Sequence, residues 1–232
     1  MTCPRVIYLD GAGWHSGDGP VRKGLLGAGF AGAVERYDWQ GLFGPLPDHL
    51  WANQHHASVP ALARRVTKLR RANPEGRIVL MGLSAGTSLV VAALEKLPED
   101  VLVDDVVLLS PSVSAWHDLT QALRHVRRRL YATHSPYDGL LSTSGSAGGE
   151  RGPPAGRRGF RLPEEMPLEK QVLYRKLIHL PWRPGYAAYD WDGGHVSVTS
   201  PDFIRVVIAP RILGADPHPL DRPIAFAEGS DR

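Results

Sequence analysis

The chain has 232 residues, a formal net charge of +3 and one cysteine, Cys3. This length suits a single domain that buries about 70% or more of its unfolded surface, and the apolar (43%) and charged (22%) fractions exclude a disordered or coiled-coil chain. A lone cysteine excludes an internal disulfide framework and a CxxC zinc site, and the basic residues form no single block, so they read as solvated faces and not as a nucleic-acid patch.

Taken in chain order, short β-rich runs alternate with helical patterns. Val6–Leu9 is a continuous apolar run ending in Asp10-Gly11, which predicts a buried strand entering a glycine turn. Residues 20–32 are weakly helical, and 33–39 alternate like a second strand. Val59, Leu62, Val66 and Leu69 recur at spacings of three and four, one face of an amphipathic helix over 58–71 that Asn73-Pro74-Glu75-Gly76 ends. Arg77–Met81 is the next buried strand, and Ala85–Leu97 is a helix apolar around most of its circumference. Strands are expected at 103–109, 129–133 and 186–189, and helices at 117–126, 164–179 and 201–213. Such alternation argues for a parallel sheet covered on both faces. Residues 142–161 are too rich in Gly, Ser and Pro to pack and read as a flexible excursion or lid. The expected organisation is one domain over 1–213 followed by a Pro-rich tail over 214–232. No apolar run reaches the roughly 18 residues of a membrane helix, and the N-terminus lacks the pattern of a secretory leader, so a cytoplasmic protein is expected.

Gly82-Leu83-Ser84-Ala85-Gly86 is a Gly-x-Ser-x-Gly pentapeptide placed directly after a strand and opening a helix. That context makes a common pattern specific. A sharp strand-to-helix turn lifts the serine to its apex, and glycines on both sides keep neighbouring side chains out of the turn. A serine N-cap with tight packing is the structural alternative, but a cap needs no glycine on both sides. A serine nucleophile needs a base, and the base an orienting acid. Of ten histidines, His195 stands in Asp192-Gly193-Gly194-His195, a loop expected at the same sheet end as Ser84. His134 is the strongest rival. For the acid, Asp138 follows the fifth strand in a turn marked by Pro136 and Gly139, with Asp190 or Asp192 as alternatives. Asp104 and Asp105 begin a strand, at the wrong end of the sheet.

The order Ser84, Asp138, His195, each after a successive strand, resembles the α/β-hydrolase superfamily over about residues 5–213. Asp10-Gly11-Ala12-Gly13-Trp14 is similar to that family's His-Gly-x-Gly oxyanion loop, with Asp10 where the histidine usually stands. The resemblance implies a minimal three-layer α/β sandwich of about six mostly parallel strands in the order 2-1-3-4-5-6, without the two leading antiparallel strands or a large cap between Val107 and Tyr131. It implies a Ser84–His195–Asp138 triad acting on a small-molecule ester through an acyl-enzyme. Oxyanion N–H groups would come from Ala12 or Gly13 and from Ala85, with no cofactor and no metal. Trp14 and Leu140, with Trp51, Trp116 and Phe43, are candidates for lining an apolar substrate pocket.

Two other readings compete. Gly27-Ala28-Gly29-Phe30-Ala31-Gly32 matches a dinucleotide-binding GxGxxG by letter, but follows no strand. Gly11-Ala12-Gly13 does follow one, yet the spacing to Gly17 is one residue too long, and a dinucleotide-binding oxidoreductase would leave Ser84 and His195 idle. The second alternative is a hydrolase-like fold that binds a small molecule without turning it over.

Overall fold

The apolar runs of the sequence become the centre of one sheet. In the computed structural model, which describes residues 4–12, 16–39, 48–144, 152–162 and 166–214, six strands lie in the order β2-β1-β3-β4-β5-β6. They are β1 (Arg5–Leu9), β2 (Ala33–Arg36), β3 (Ile78–Leu83), β4 (Val103–Leu109), β5 (Val126–His134) and β6 (Leu177–Pro181). Every neighbouring pair is parallel. The strands at the middle of this order, β3 and β4, are buried along their whole length, the pattern expected where helices cover both faces.

Alternate residues of the strands feed two separate cores. Ile7, Leu9, Leu80, Val106 and Leu108 pack with Leu62 and Val66 of α2 (Asp48–Ala72) and Leu89 and Val90 of α3 (Ala85–Leu94). Val6, Tyr8, Val79, Met81 and Val107 pack on the other side with Val21 and Leu25 of α1 (Asp18–Gly27) and with the closing helical run. That run begins at α8 (Pro201–Phe203), passes through a π-helical stretch at Ile204–Ile208 and ends as α9 (Ala209–Leu213). Between these lie α4 (Thr120–Arg124), α5 (Gly139–Ser144), α6 (Ala155–Arg158) and α7 (Leu168–Tyr174). Among the described residues no helix is long and apolar enough to cross a membrane.

Three expectations need correction. The predicted helix over 164–179 ends as α7 at Tyr174, and β6 follows at once; Leu173, Leu177 and Leu180 keep a helix-like spacing across the break. The strand predicted over 186–189 is instead a 3-10 helix, Pro184–Tyr189. The strand order survives because β6 takes the sixth place. The helix expected over 58–71 starts ten residues earlier, at Asp48, and carries Pro60 in its interior.

The Gly/Ser/Pro-rich segment packs over its described part. Gly156 N–H donates to Pro111 O (2.7 Å) and Gly156 O accepts Ser135 N–H (2.8 Å), while Ala155 and Phe160 are buried. The short α6 is thereby wedged between the chain leaving β4 and the chain leaving β5. Residues 145–151 lie outside the described residues, as does the tail beyond Gly214.

The turn between β3 and α3 is tight because of three glycines. A Cβ on Gly86 would lie 2.5 Å from Leu9 O, and one on Gly82 would lie 2.9 Å from the Gly86 carbonyl carbon and oxygen. Gly11, just past β1, would place its Cβ 3.0 Å from Ser84 Cβ. Backbone cannot yield as a flexible side chain does, so Gly86→Ala is expected to destabilise the fold by about 2–3 kcal/mol or more. Denaturant titration checks this, and a loss below about 0.5 kcal/mol would show that the close approach is not what shapes the turn.

His134 and His179 meet edge-on at the ends of β5 and β6, ring centroids 5.7 Å apart. His179 Nε2 accepts the Phe160 N–H (3.2 Å) and so is unprotonated there. Burial pulls His134 down from 6.5 to about 4, with the neighbouring His179 adding to the effect, and burial also lowers His179. A histidine depressed on folding gains its proton first in the unfolded chain, so stability is full above about pH 6.5 and falls as the pH drops toward 4. For His134 the full loss is on the order of 3 kcal/mol. Unfolding measured between pH 7 and 4 should show this slope, and His134→Gln should flatten it; an unchanged slope would exclude His134 as its source.

Candidate active site

The candidate residues follow the carboxyl ends of the strands, as the sequence order demands. Ser84 is the residue between β3 and α3. Its backbone is held at φ 51°, ψ −121°, a left-handed value that a non-glycine residue adopts only under constraint from its surroundings. The constraints are visible. Ser84 N–H continues the ladder to Leu109 O (3.0 Å), and the three glycines let β1, β3 and α3 close around it. The side chain is neither sealed nor fully exposed.

Asp138 lies four residues past β5 and is fully buried. Its Oδ1 accepts the Leu141 N–H (3.0 Å) in the first turn of α5, so the carboxylate also caps that short helix. Its Oδ2 lies 2.7 Å from His195 Nδ1, a contact that joins residues 57 apart in sequence. His195 is 8% exposed. Its loop is shaped by Asp192, whose Oδ1 accepts the Gly194 N–H (2.8 Å) and the Ser197 hydroxyl (2.5 Å). These bonds, the Ser197 one foremost, hold the Asp192 carboxyl below its usual range. Gly193 adopts φ 94° and sits where a Cβ would come within 2.9 Å of Ser135 Oγ, so the histidine loop and the acid loop touch without intervening side chains. Trp191, fully buried, donates its indole N–H to Gly194 O (3.3 Å) and anchors the loop from below.

The rivals have other partners. Asp192 is spent on its own loop, and Asp190 is the left-handed residue ending the 3-10 helix. His134 faces His179; His117 meets Glu95 (2.7 Å); His125 Nδ1 lies 2.9 Å from Val101 O. Asp104 and Asp105 sit at the start of β4, bound to Arg70 (2.7 Å) and Arg77 (2.9 Å). Gly27-x-Gly29 lies between α1 and β2, helix to strand, the reverse of a phosphate cradle.

The loop after β1 has its own staple, unforeseen in the sequence. The Asp10 carboxylate is buried and accepts the Gly17 N–H (2.7 Å), the Tyr8 hydroxyl (3.0 Å) and the Ser16 hydroxyl (3.3 Å). Its backbone carbonyl accepts the Trp39 indole N–H (2.9 Å). Burial, with the charge of Asp10 beside it, drives the Tyr8 phenol far above its ordinary range, so it stays a donor. Asp10 thus ties the two ends of the loop over residues 11–16 together. Ala12 is exposed within it; Gly13 and Trp14 lie outside the described residues. Ala85, at the first helical position, has no carbonyl one turn earlier to receive its N–H. Of the apolar candidates, Leu140 and Trp116 are exposed (52% and 56%), while Phe43 and the side chain of Trp51 are not among those described. Sequence reasoning also missed Thr87 and Ser112, whose hydroxyls both donate to Ser84 O (2.5 and 3.0 Å); Thr87 stands three residues after the serine, the spacing of a side chain that bonds back to its own helix. A groove of about 680 Å³ beside α2, edged by Arg64, Lys68, Arg71 and Lys96, reaches the far end of α3 from Ser84 and takes no part in this geometry.

Residues 51–154, a little under half of the chain, match a family model described as an alpha/beta hydrolase of unknown function (DUF900). No curated protein matches the sequence. A predicted CIB-like hydrolase from Thermoplasma acidophilum is similar in structure (TM-score 0.50, 16% identity), over 90% of this chain and 86% of that one. The Pyrococcus furiosus esterase Pf2001 gives a TM-score of 0.49 at 15% identity, over 91% of this chain and 80% of its own. Likeness at such identity speaks to fold alone. The six parallel strands in the order 2-1-3-4-5-6, with the Gly-x-Ser-x-Gly turn between β3 and α3, give the chain an α/β-hydrolase fold, and the matched segment is similar to an α/β-hydrolase family.

Proposed function

We propose that the protein is a serine hydrolase that cleaves a carboxylic ester through an acyl-enzyme, with Ser84 as nucleophile, His195 as base and Asp138 as its orienter. The observation that carries this reading is the 2.7 Å contact between Asp138 and His195 at the sheet edge where Ser84 occupies its strained turn. Asp138 accepts the Nδ1 proton, which leaves Nε2 free to take the proton of the Ser84 hydroxyl. The alkoxide oxygen attacks the ester carbonyl, and the oxyanion is received by the N–H of Ala85 and one from Ala12 or Gly13. His195 returns the proton to the leaving alcohol; water, activated by the same imidazole, then releases the acid and restores Ser84. The groups around the acid and the base are apolar and open: Tyr137, Leu140 and Val196 are 64%, 52% and 43% exposed. Such a rim suits an apolar ester that is not enclosed, and favours short acyl groups over long ones that need a tunnel.

Ser84→Ala should abolish turnover of p-nitrophenyl butyrate and labelling by a fluorophosphonate while leaving the unfolding midpoint intact; retained turnover would refute the nucleophile. Asp138→Asn should lower kcat by roughly 10³–10⁴ through the wrong histidine tautomer, whereas Asp192→Asn should stay within about tenfold. The reverse ranking would exchange their roles.

A further inference from the structure

Ser84 O lies at the centre of an unusual number of donors. It accepts the Thr87 N–H (2.9 Å), the Thr87 hydroxyl (2.5 Å) and the Ser112 hydroxyl (3.0 Å). The first is what an opening helical turn supplies anyway. The other two are additional, and they come from different places: Thr87 from α3, Ser112 from the chain leaving β4. The two are themselves linked, because Ser112 N–H donates to Thr87 Oγ1 (3.2 Å). That bond occupies the Thr87 oxygen as an acceptor and leaves its proton for Ser84 O. Thr87 is fully buried and Ser112 nearly so, so these bonds act in a medium of low polarity, where each is stronger than in water.

The chain leaving β4 is bent to make this possible. Ser110 is one of the three non-glycine residues described with positive φ (43°). Its N–H donates to Thr133 Oγ1 of β5 (2.9 Å). The strained residue turns the chain so that Ser112, two positions on, reaches back across to the serine turn. Strain of this kind is kept only where the surrounding structure insists on it.

The carbonyl that collects these bonds belongs to the same peptide group as the Ala85 N–H. A trans peptide is planar, with its C=O and N–H pointing in opposite directions, and no cis peptide is present among the described residues. Fixing the direction of Ser84 O therefore fixes the direction of the Ala85 N–H. Donors on the oxygen also draw electron density through the amide and make its N–H a better donor. The hydrogen-bond chain runs from Ser112 N–H to Thr87 Oγ1, from the Thr87 hydroxyl to Ser84 O, and through the peptide to Ala85 N–H.

We propose that Thr87 and Ser112 are positioning residues for the oxyanion donor: their hydroxyls aim and polarise the Ala85 N–H by holding the carbonyl on the other side of its peptide plane. This rests on the serine-hydrolase reading and deepens it. Neither hydroxyl touches the substrate.

The test uses Thr87→Val, Ser112→Ala, the double variant and Thr87→Ser, with Ser84→Ala as reference, in the full chain. Activity is measured on p-nitrophenyl butyrate, and the fraction of competent serine is titrated with a fluorophosphonate. Inhibition by a boronic acid reports the affinity for a tetrahedral anion on Ser84. Per competent site, each of the first two variants should lose roughly tenfold in kcat, less than the 10²–10³ of deleting a donor outright. KM should stay unchanged, and the boronic-acid inhibition constant should rise by the same factor. The double variant should lose more, and Thr87→Ser should recover most of the activity. A merely structural role would lower the unfolding midpoint or the titrated fraction and leave the boronic acid binding of the remaining sites as it was; that result overturns the proposal, as does wild-type kcat in the double variant. If Ser84→Ala itself retains turnover, the nucleophile reading fails and this inference falls with it; if Ser84→Ala is inactive while the double variant keeps wild-type constants, the inference alone fails.

Discussion

A backbone carbonyl, Leu9 O, occupies the space where residue 86 would carry a side chain. This close approach of β1 to the start of α3 is the constraint from which the rest of the site follows. It lets the strand-to-helix turn be short enough to force Ser84 into φ 51°, and it brings the loop after β1 against the serine, where a Cβ on Gly11 would crowd Ser84 Cβ at 3.0 Å. A wider approach would relax the serine backbone and move the Ala85 N–H, the proposed oxyanion donor.

The parallel sheet supplies the remaining geometry. Because all strands run the same way, every chain segment leaving a carboxyl end emerges on one edge. Five such segments carry the residues of the candidate site: Asp10 and its stapled loop after β1, Ser84 after β3, Ser110–Ser112 after β4, Asp138 after β5 and His195 beyond β6. The cores on the two faces of the sheet hold these exits fixed relative to one another, so that His195 and Asp138 meet although they stand 57 positions apart in the chain. The opposite edge is built differently: buried ion pairs of Asp104 with Arg70 and Asp105 with Arg77 close it off.

How much of this was legible in the sequence depends on whether the determining interaction is local. The Val/Ile/Leu runs of β1, β3 and β4 announce buried strands because burial on both faces leaves no room for polar alternation, and the glycines of the pentapeptide announce the turn because the steric need lies within five residues. The order of Ser84, Asp138 and His195 also reads directly. By contrast, β6 was hidden because Leu177 and Leu180 extend the leucine spacing of α7, and only pairing with β5, remote in sequence, decides between helix and strand. Residues 142–161 looked too rich in Gly, Ser and Pro to pack, yet residues 152–158 do. They pack through their backbone, where Gly156 fits between Ser110, Pro111 and Leu141 because it is small. Asp10, Thr87 and Ser112 act through partners that no spacing rule connects to them.

One feature of the closed-off edge bears on how the molecule can be handled. Arg128 donates to Gly214 O (2.6 Å), and Arg77 reaches Leu213 O (3.2 Å). These guanidinium groups stand near the amino ends of β5 and β3, so they clamp the polypeptide at residues 213–214 to the side of the sheet remote from the serine. A surface tether or fused partner joined immediately after residue 214 would therefore be held at the molecule's back, with the sheet end that carries Ser84 turned outward.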